Sequence, residues 1–323
     1  MPLHVIVGAG PVGTTLATTL ADDGHDVRIV TRSGSGPQHQ RIERVQADAS
    51  DSTALRPLVK GAAALYNCAN PPSYQHWARV WPPLAASLLD AAESASTVLV
   101  TMGNLYGYGP ATEPITRDHP LNATDHKGTL RNAMWQDALA AHQAGRIRAT
   151  EARASDFIGP GVQPEAGMSA RYVKTALAGK TVYMFGDPDA EHSWSYIPDV
   201  ARTLAVLGTD ERAWGQAWHV PSPPPVSPRE LVESASRAAG LQAPRIRRVP
   251  RNVLRLFHPF SGLLRELDGV LYQWERPFEI DATATTDTFG LTPAPWPEVI
   301  ERTLEYWQSA HVRRGAGQRH QTS

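Results

Sequence analysis

Residues Gly8-Ala9-Gly10-Pro11-Val12-Gly13 place glycines at a G-x-G-x-x-G spacing, directly after a β-branched run (Leu3–Val7) and opening a helical pattern (Thr14–Asp23). At this spacing the first glycine permits a tight turn, the second lets backbone approach a pyrophosphate, and the third lets helix and strand pack closely. The helix start adds free N–H groups and the positive end of a dipole. A chain that binds NAD carries an acid about 20 residues further on, at the end of the second strand, to hold the ribose 2′-hydroxyl. Here that strand, Val27–Val30, runs into Thr31-Arg32-Ser33 without an acid. A guanidinium pairs well with a 2′-phosphate and stacks on adenine. Thr31, Arg32 and Ser33 therefore point to NADP(H), against the alternative of an ordinary exposed arginine.

These residues need a frame. Strand-like runs at Ala64–Asn67, Thr97–Thr101 and Ile147–Ala152 alternate with helical patterns at Ser52–Lys60, with Ser52 as N-cap, and at Pro83–Ser94, with proline in its first turn. A further helix ends at Gly145, with Leu130, Ala133, Met134, Asp137, Ala138 and Ala141 on one face. Such alternation implies an α/β, doubly wound parallel sheet, the Rossmann arrangement. The second half is richer in proline, with helices expected at Ala170–Ala178, Ser227–Ala239 and Pro297–Ser309. The expected division is a dinucleotide-binding core over 1–165 and a smaller, mainly substrate-binding portion over 166–310, with a segment near 194–207 returning to the core. A disordered polar tail, 311–323, completes it.

Beyond the glycine loop, five ordered segments resemble the extended (atypical) short-chain dehydrogenase/reductase superfamily, of the NAD(P)-dependent epimerase/dehydratase kind. They are Gln46-Ala47-Asp48-Ala49, Ala64 to Asn70, Val98 to Met102 with Asn104-Leu105-Tyr106-Gly107, Arg153 to Gly161, and Trp194 to Ala201, together spanning about residues 3 to 307. The resemblance implies that Asp48 and Ala49 contact adenine and that Cys68, Ala69 and Asn70 lie against the cofactor. It also implies that the region around His192 and Trp194 borders the substrate, although a solvated turn is the plain alternative there. The resemblance is not complete. The usual loop of that superfamily spaces its glycines G-x-x-G-x-x-G. Its catalytic set is a serine after the fifth strand followed by Tyr-x-x-x-Lys, in which tyrosine moves a proton and lysine lowers its pKa and binds the nicotinamide ribose.

Met102 stands where the serine would, with Thr101 beside it, and Lys127 falls 25 residues later at the spacing of the lysine. Four residues before Lys127 is Ala123, which cannot donate a proton. The lysine is present and the tyrosine is not. Lys127, Thr101, Asn104 and Tyr106 are the candidate catalytic residues, Lys127 and Thr101 also touching cofactor; Tyr74, Met102, His192 and Trp194 are candidates for the substrate wall. Other donors considered are Asp125, His126 and Tyr196. Each has a plain reading too: Tyr106 as packing, Asp125 and His126 as helix caps, Lys127 as a surface lysine. Tyr74, His76, Trp77 and Trp81 suggest an aromatic pocket, though tryptophans are usually core or interface anchors.

Composition narrows the remainder. With 323 residues and 41% hydrophobic residues the chain can bury a large core. A net charge of −1 gives no reason to expect nucleic acid or an anionic membrane as partner. One cysteine, the absence of a signal-peptide pattern and the absence of a membrane-length apolar run suggest a reducing cytoplasm. The histidines show no metal-ligand spacing, so no metal is expected. The expected activity is NADP(H)-dependent reduction of a small or medium organic substrate. Alternatives are a non-redox epimerase, isomerase or cyclase, or a non-enzymatic NADP sensor. A homodimer is expected through the helices after the fourth and fifth strands.

Overall fold

The computed structural model describes residues 2–71, 74–164, 167–256 and 266–319. Its centre is a seven-stranded parallel sheet built from β1 (Leu3–Val7), β2 (Asp26–Thr31), β3 (Ile42–Gln46), β4 (Ala62–Asn67), β5 (Val98–Asn104), β6 (Arg148–Ala154) and β10 (Ala217–His219). The spatial order is β10-β6-β5-β4-β1-β2-β3. The order in which successive strands are added therefore reverses between β1 and β4, and ligands of such sheets bind in the crevice at that point, beyond the carboxyl ends of the strands. Val7 lies beside Val30 on one side and Asn67 on the other, which brings the ends of β1, β2 and β4 level at the crevice.

Successive strand residues face opposite sides. Ile6, Ile29, Ala64, Tyr66, Val98, Val100 and Ala152 pack under α1 (Pro11–Asp22) and α6 (Ile197–Leu207). Val5, Val7, Val30, Leu65, Leu99 and Ala149 pack under α2 (Ser52–Val59), α3 (Trp77–Ala95) and α4 (His126–Gln143). Near-continuous apolar strands covered on both faces are what an all-parallel sheet requires. Two small parallel pairs complete the strands: β7 (Asp156–Ile158) beside β9 (Trp194–Tyr196), and β8 (Val182–Phe185) beside β11 (Ile246–Val249). α5 (Met168–Leu177) and α7 (Pro228–Ala238) form a third core with β8, β9 and the last helix.

Several local expectations are corrected. Asp51, not Ser52, caps α2, because its carboxylate accepts from Thr53 N–H at 2.9 Å. Helix α3 starts at Trp77 and runs through Pro82 and Pro83 instead of beginning at them. Both prolines are exposed, so the carbonyls they leave unpaired can face water. The buried face of α4 is Lys127, Gly128, Trp135, Ala138 and Ala141, whereas Ala133 and Asp137 point outward. The last helix, Trp296–Arg319, extends into the stretch that the sequence reads as a disordered tail. Among the described residues no helix is long and apolar enough to cross a membrane.

Candidate functional site

The glycine loop closes the carboxyl end of β1. Gly8 sits at φ +104°, and a Cβ there would meet Cys68 O and Ala69 N at 2.8 Å, so only glycine lets β1 and β4 turn out side by side. A Cβ on Gly13 would lie 2.0 Å from Gly8 O, so the loop and the first turn of α1 touch through backbone. Gly10 is different: a Cβ there meets nothing within 4 Å. It caps α1 without any side-chain hydrogen bond, and Pro11 occupies the first turn. The loop therefore opens onto free space lined by uncommitted N–H groups at the start of α1, with Val12 buried beneath. This geometry suits a pyrophosphate.

The strands next out from β1 are β2 and β3. Thr31 ends β2 and donates its hydroxyl to Ser35 O, and Ser33 and Ser35 share a hydroxyl contact. Arg32 is exposed and makes no hydrogen bond or ion pair among the described residues. Its charged neighbour is Asp48, just after β3, whose carboxylate accepts from the Ser50 hydroxyl and N–H. Those bonds, with a smaller contribution from Arg32, hold Asp48 below the usual carboxylate range. Ala49 is buried. At the end of β4, Asn67 turns back to accept from Ala69 N–H, while Asn70 is exposed. Cys68 is buried against the glycine loop, and burial pushes its thiol up to about 12.

β5 delivers Thr101 and Met102 to opposite faces. Met102 is buried with Val12 and Cys68 on the α1 side. Thr101 lines a cavity of about 20 Å³ on the α4 side with Asn67, Arg131, Trp135 and Glu151. The two are thus not interchangeable as hydroxyl positions. Asn104 accepts from Tyr106 N–H and shapes the turn after β5.

Lys127, in the first turn of α4, is buried; its Nζ donates to the Glu266 carboxylate at 2.9 Å and to the Glu266 carbonyl at 2.7 Å. The ammonium also sits 5.1 Å from the Tyr74 ring centroid. Asp125 is the N-cap of α4, accepting from Lys127 and Gly128 N–H, so its plain reading holds. Tyr74 and Tyr106 share a hydrogen bond of 2.8 Å between their hydroxyls. Burial raises both phenols, and the nearby Asp156 carboxylate adds to the effect.

The aromatic group after β4 divides. Tyr74 pairs with Tyr106, whereas Trp77 and Trp81 are core residues. The Arg131 guanidinium stacks over them, 4.1 Å from the Trp81 ring and 4.9 Å from the Trp77 ring, and burial lowers its pKa to about 10. Trp194, expected at the substrate, is fully buried with its indole N–H on Val226 O. His192 is buried as well and meets the site through Asp156, Nε2 to Oδ2 at 3.0 Å. Tyr196 lies in the third core. Asp156 is a candidate that the sequence does not single out, although it stands in the segment Arg153 to Gly161; a lone acid in an otherwise uncharged turn is the available signal. Glu266 is 139 residues from Lys127, and nothing in its surroundings marks it in advance. Among the described residues no cluster of three or more metal-ligating side chains occurs.

Beyond the carboxyl ends of β1, β4, β5 and β6 the chain thus carries an open glycine loop, two paired phenols and a carboxylate backed by imidazole, with a lysine held by a glutamate at the start of α4. The chain resembles known proteins over most of its length. The chain matches a 3β-hydroxysteroid dehydrogenase/Δ5→4-isomerase from Mycobacterium tuberculosis at 26% identity over 266 residues, covering 74% of this chain and 70% of that protein. A UDP-glucose 4-epimerase from Thermotoga maritima, solved with UDP-glucose, superposes with a TM-score of 0.78 at 17% identity, covering 95% of this chain and 99% of that one. A dTDP-glucose 4,6-dehydratase from Bacillus anthracis, solved with NAD, gives 0.79 at 17% identity, covering 96% and 97%. The sequence pattern of the NAD dependent epimerase/dehydratase family matches residues 4–219. The chain belongs to that family.

Proposed function

We propose that the protein is a cytoplasmic NADP(H)-dependent oxidoreductase that reduces a small or medium organic substrate without the tyrosine of a Tyr-x-x-x-Lys motif. Residues 1–165 hold the dinucleotide and 166–310 supply most of the substrate-binding portion. The carrying observation is the open glycine loop together with an unpaired guanidinium, Arg32, beyond the end of β2. In this reading Gly8, Gly10, Pro11, Val12 and Gly13 cradle the pyrophosphate, and Thr31, Arg32 and Ser33 take the 2′-phosphate. Asp48 and Ala49 border adenine, and Cys68, Ala69, Asn70, Thr101 and Lys127 border the nicotinamide half. The bound dinucleotide supplies hydride. Lys127 has three protons, two of them on Glu266, which leaves one for a ribose hydroxyl. Tyr74 and Tyr106 present hydroxyls to the substrate, with Asn104 fixing the turn that holds Tyr106.

NADPH is expected to bind more tightly than NADH. Arg32→Ala should weaken NADPH by about 1.5–3 kcal/mol, the range for a charge-assisted hydrogen bond, and leave NADH nearly unchanged. Fluorescence titration measures both, and equal affinity of the wild type for the two cofactors would sink the reading.

Ala123 and Met102 favour one second reading, a non-redox epimerase, isomerase or cyclase, since both usual hydroxyls beside the substrate carbonyl are missing. Substrate conversion with constant nicotinamide absorbance selects it.

A homodimer through α3 and α4 is part of the proposal. Pro82, Pro83 and Ala133 are exposed there and Leu89, Leu130 and Met134 half-covered. Two-fold pairing of one such patch with itself is the commonest assembly. Light scattering at micromolar concentration should give twice the 35.1 kDa chain mass, and the monomer mass rules the dimer out.

A further inference from the structure

We infer that Asp156 and His192 form a proton-holding pair that supplies the acid–base group missing at Ala123 and Met102, acting on the oxygen of a carbonyl or hydroxyl substrate. The inference rests on the redox reading above for its reaction, but not for the state of the pair. His192 is 1% exposed, and its Nδ1 lies 3.2 Å from the Gln273 carbonyl. A carbonyl only accepts, so Nδ1 carries a proton. Nε2 then meets Asp156 Oδ2 at 3.0 Å in one of two ways. Either it is a second N–H donating to a carboxylate, or it accepts from a carboxylic acid. Both forms hold one proton more than a neutral imidazole beside a bare carboxylate.

The surroundings select the first form. The imidazole stacks on Trp274 at 4.2 Å and 14°, with Phe278 at 5.9 Å and Trp194 edge-on at 4.9 Å. Aromatic faces attract a cation, and Asp156 is its counter-ion. The other polar neighbour is the Ser155 hydroxyl, 3.5 Å from Nε2. Titratable groups that feel Asp156 from other elements include the phenols Tyr74 before α3, Tyr106 after β5 and Tyr172 on α5, with Arg131, Lys127 and Glu266 beside Tyr74.

Accessibility gives the pair a direction. The Asp156 side chain is 25% exposed whereas that of His192 is 1% exposed, so the carboxylate is the end a ligand can reach. Asp156 opens β7 just past the carboxyl end of β6, beside the end of β5, where Asn104 lies level with Ala154. When a substrate carbonyl carbon gains a hydride, whose electron pair comes from a reduced nicotinamide dinucleotide, its oxygen needs a proton. The Nε2–H bond breaks, Asp156 carries the proton across, and an O–H bond forms on the substrate. His192 is left neutral and Asp156 is again a carboxylate; oxidation of an alcohol runs the same transfer backwards. Asp156 is the catalytic residue and His192 the positioning residue that charges it.

Nitrogen-15 NMR of the full chain labelled in histidine, at neutral pH, reads the pair directly. His192, assigned by the signal lost in His192→Gln, should show both ring nitrogens protonated, and in Asp156→Asn only Nδ1. A wild-type ring with one protonated nitrogen, or a doubly protonated ring that survives Asp156→Asn, overturns the pair. NADPH titration of Asp156→Asn should give an affinity within about twofold of wild type, showing that the variant is folded. Should the wild type itself fail to bind NADPH, the dinucleotide reading falls while the NMR result stands. In turnover of a panel of ketones, enones and secondary alcohols, Asp156→Asn should lower kcat on the order of a hundredfold, within the range for acid–base groups, with KM for NADPH unchanged. Retained kcat overturns the proton role, and a wild type inactive on the whole panel defeats the redox reading and that role together.

Discussion

Gly13→Ala is expected to weaken NADPH binding on the order of a hundredfold, the equivalent of about 3 kcal/mol, and to destabilise the fold by about 1–3 kcal/mol, the usual cost of overpacking. The added methyl would stand 2.0 Å from Gly8 O and 3.2 Å from Cys68 Cβ. Its first obstacle is backbone, not the end of a flexible side chain, so α1 or the loop must move away from β4. Either movement takes the N–H groups of the first turn off the pyrophosphate. Gly10→Ala separates the two effects. Its methyl meets no protein atom within 4 Å, so the unfolding midpoint should stay at the wild-type value. Binding should still fall, because the methyl occupies the space the phosphates need. Thermal denaturation and NADPH titration of the two variants form the test. Unchanged NADPH affinity in both would remove the loop from the binding site.

The second large effect is on stability. Glu151 and Arg153, both on β6 and both buried, form an ion pair of 3.1 Å. Arg153 Nη1 donates to the Tyr108 hydroxyl at 2.7 Å. That hydroxyl donates to His219 Nε2 at 2.8 Å, and His219 Nδ1–H donates to Asp281 O at 2.9 Å. The chain assigns every proton, with His219 neutral. Burial, with Arg153 nearby, lowers the His219 pKa to about 4. Arg153→Met should cost about 3 kcal/mol, because buried Glu151 loses its hydrogen-bonded cation and keeps only the more distant Arg131 across the small cavity. Adding Glu151→Leu should recover only part of that loss, since it removes the stranded carboxylate but also the counter-charge of buried Arg131. Urea denaturation of the two variants checks this. A single variant as stable as the double would show that Arg131 or water in the cavity already balances Glu151.

What the sequence made legible follows the range of the interactions involved. The glycine loop is local: spacing, a preceding strand and a following helix lie within some fifteen residues, and the structure has the loop at the switch point. The parallel sheet is legible because its strands are short apolar runs with helices between them. The start of α3 was not legible, because two prolines read as a helix start. They can stand inside a helix when exposed, and exposure is a tertiary property. The face of α4 was misjudged for a related reason. Ala133 and Asp137 share a stripe with Leu130 and Met134, but Trp135 and buried Lys127 decide which way the helix turns. The partners of the site side chains were the least legible. Glu266 on Lys127, Asp156 on His192, and Tyr74 on Tyr106 are contacts between residues 139, 36 and 32 positions apart. Periodicity carries no information about such pairs; only the folded chain brings them together.

The single cysteine turns the seam between β4 and the glycine loop into its own reporter. Cys68 is buried and its thiol is held as the unreactive neutral form. Thiolate is the species that electrophiles attack. Alkylation of the native chain must therefore wait for the seam to part, and its rate measures how often the crevice breathes. A ligand that bridges loop and strand slows that clock by the free energy with which it holds them together.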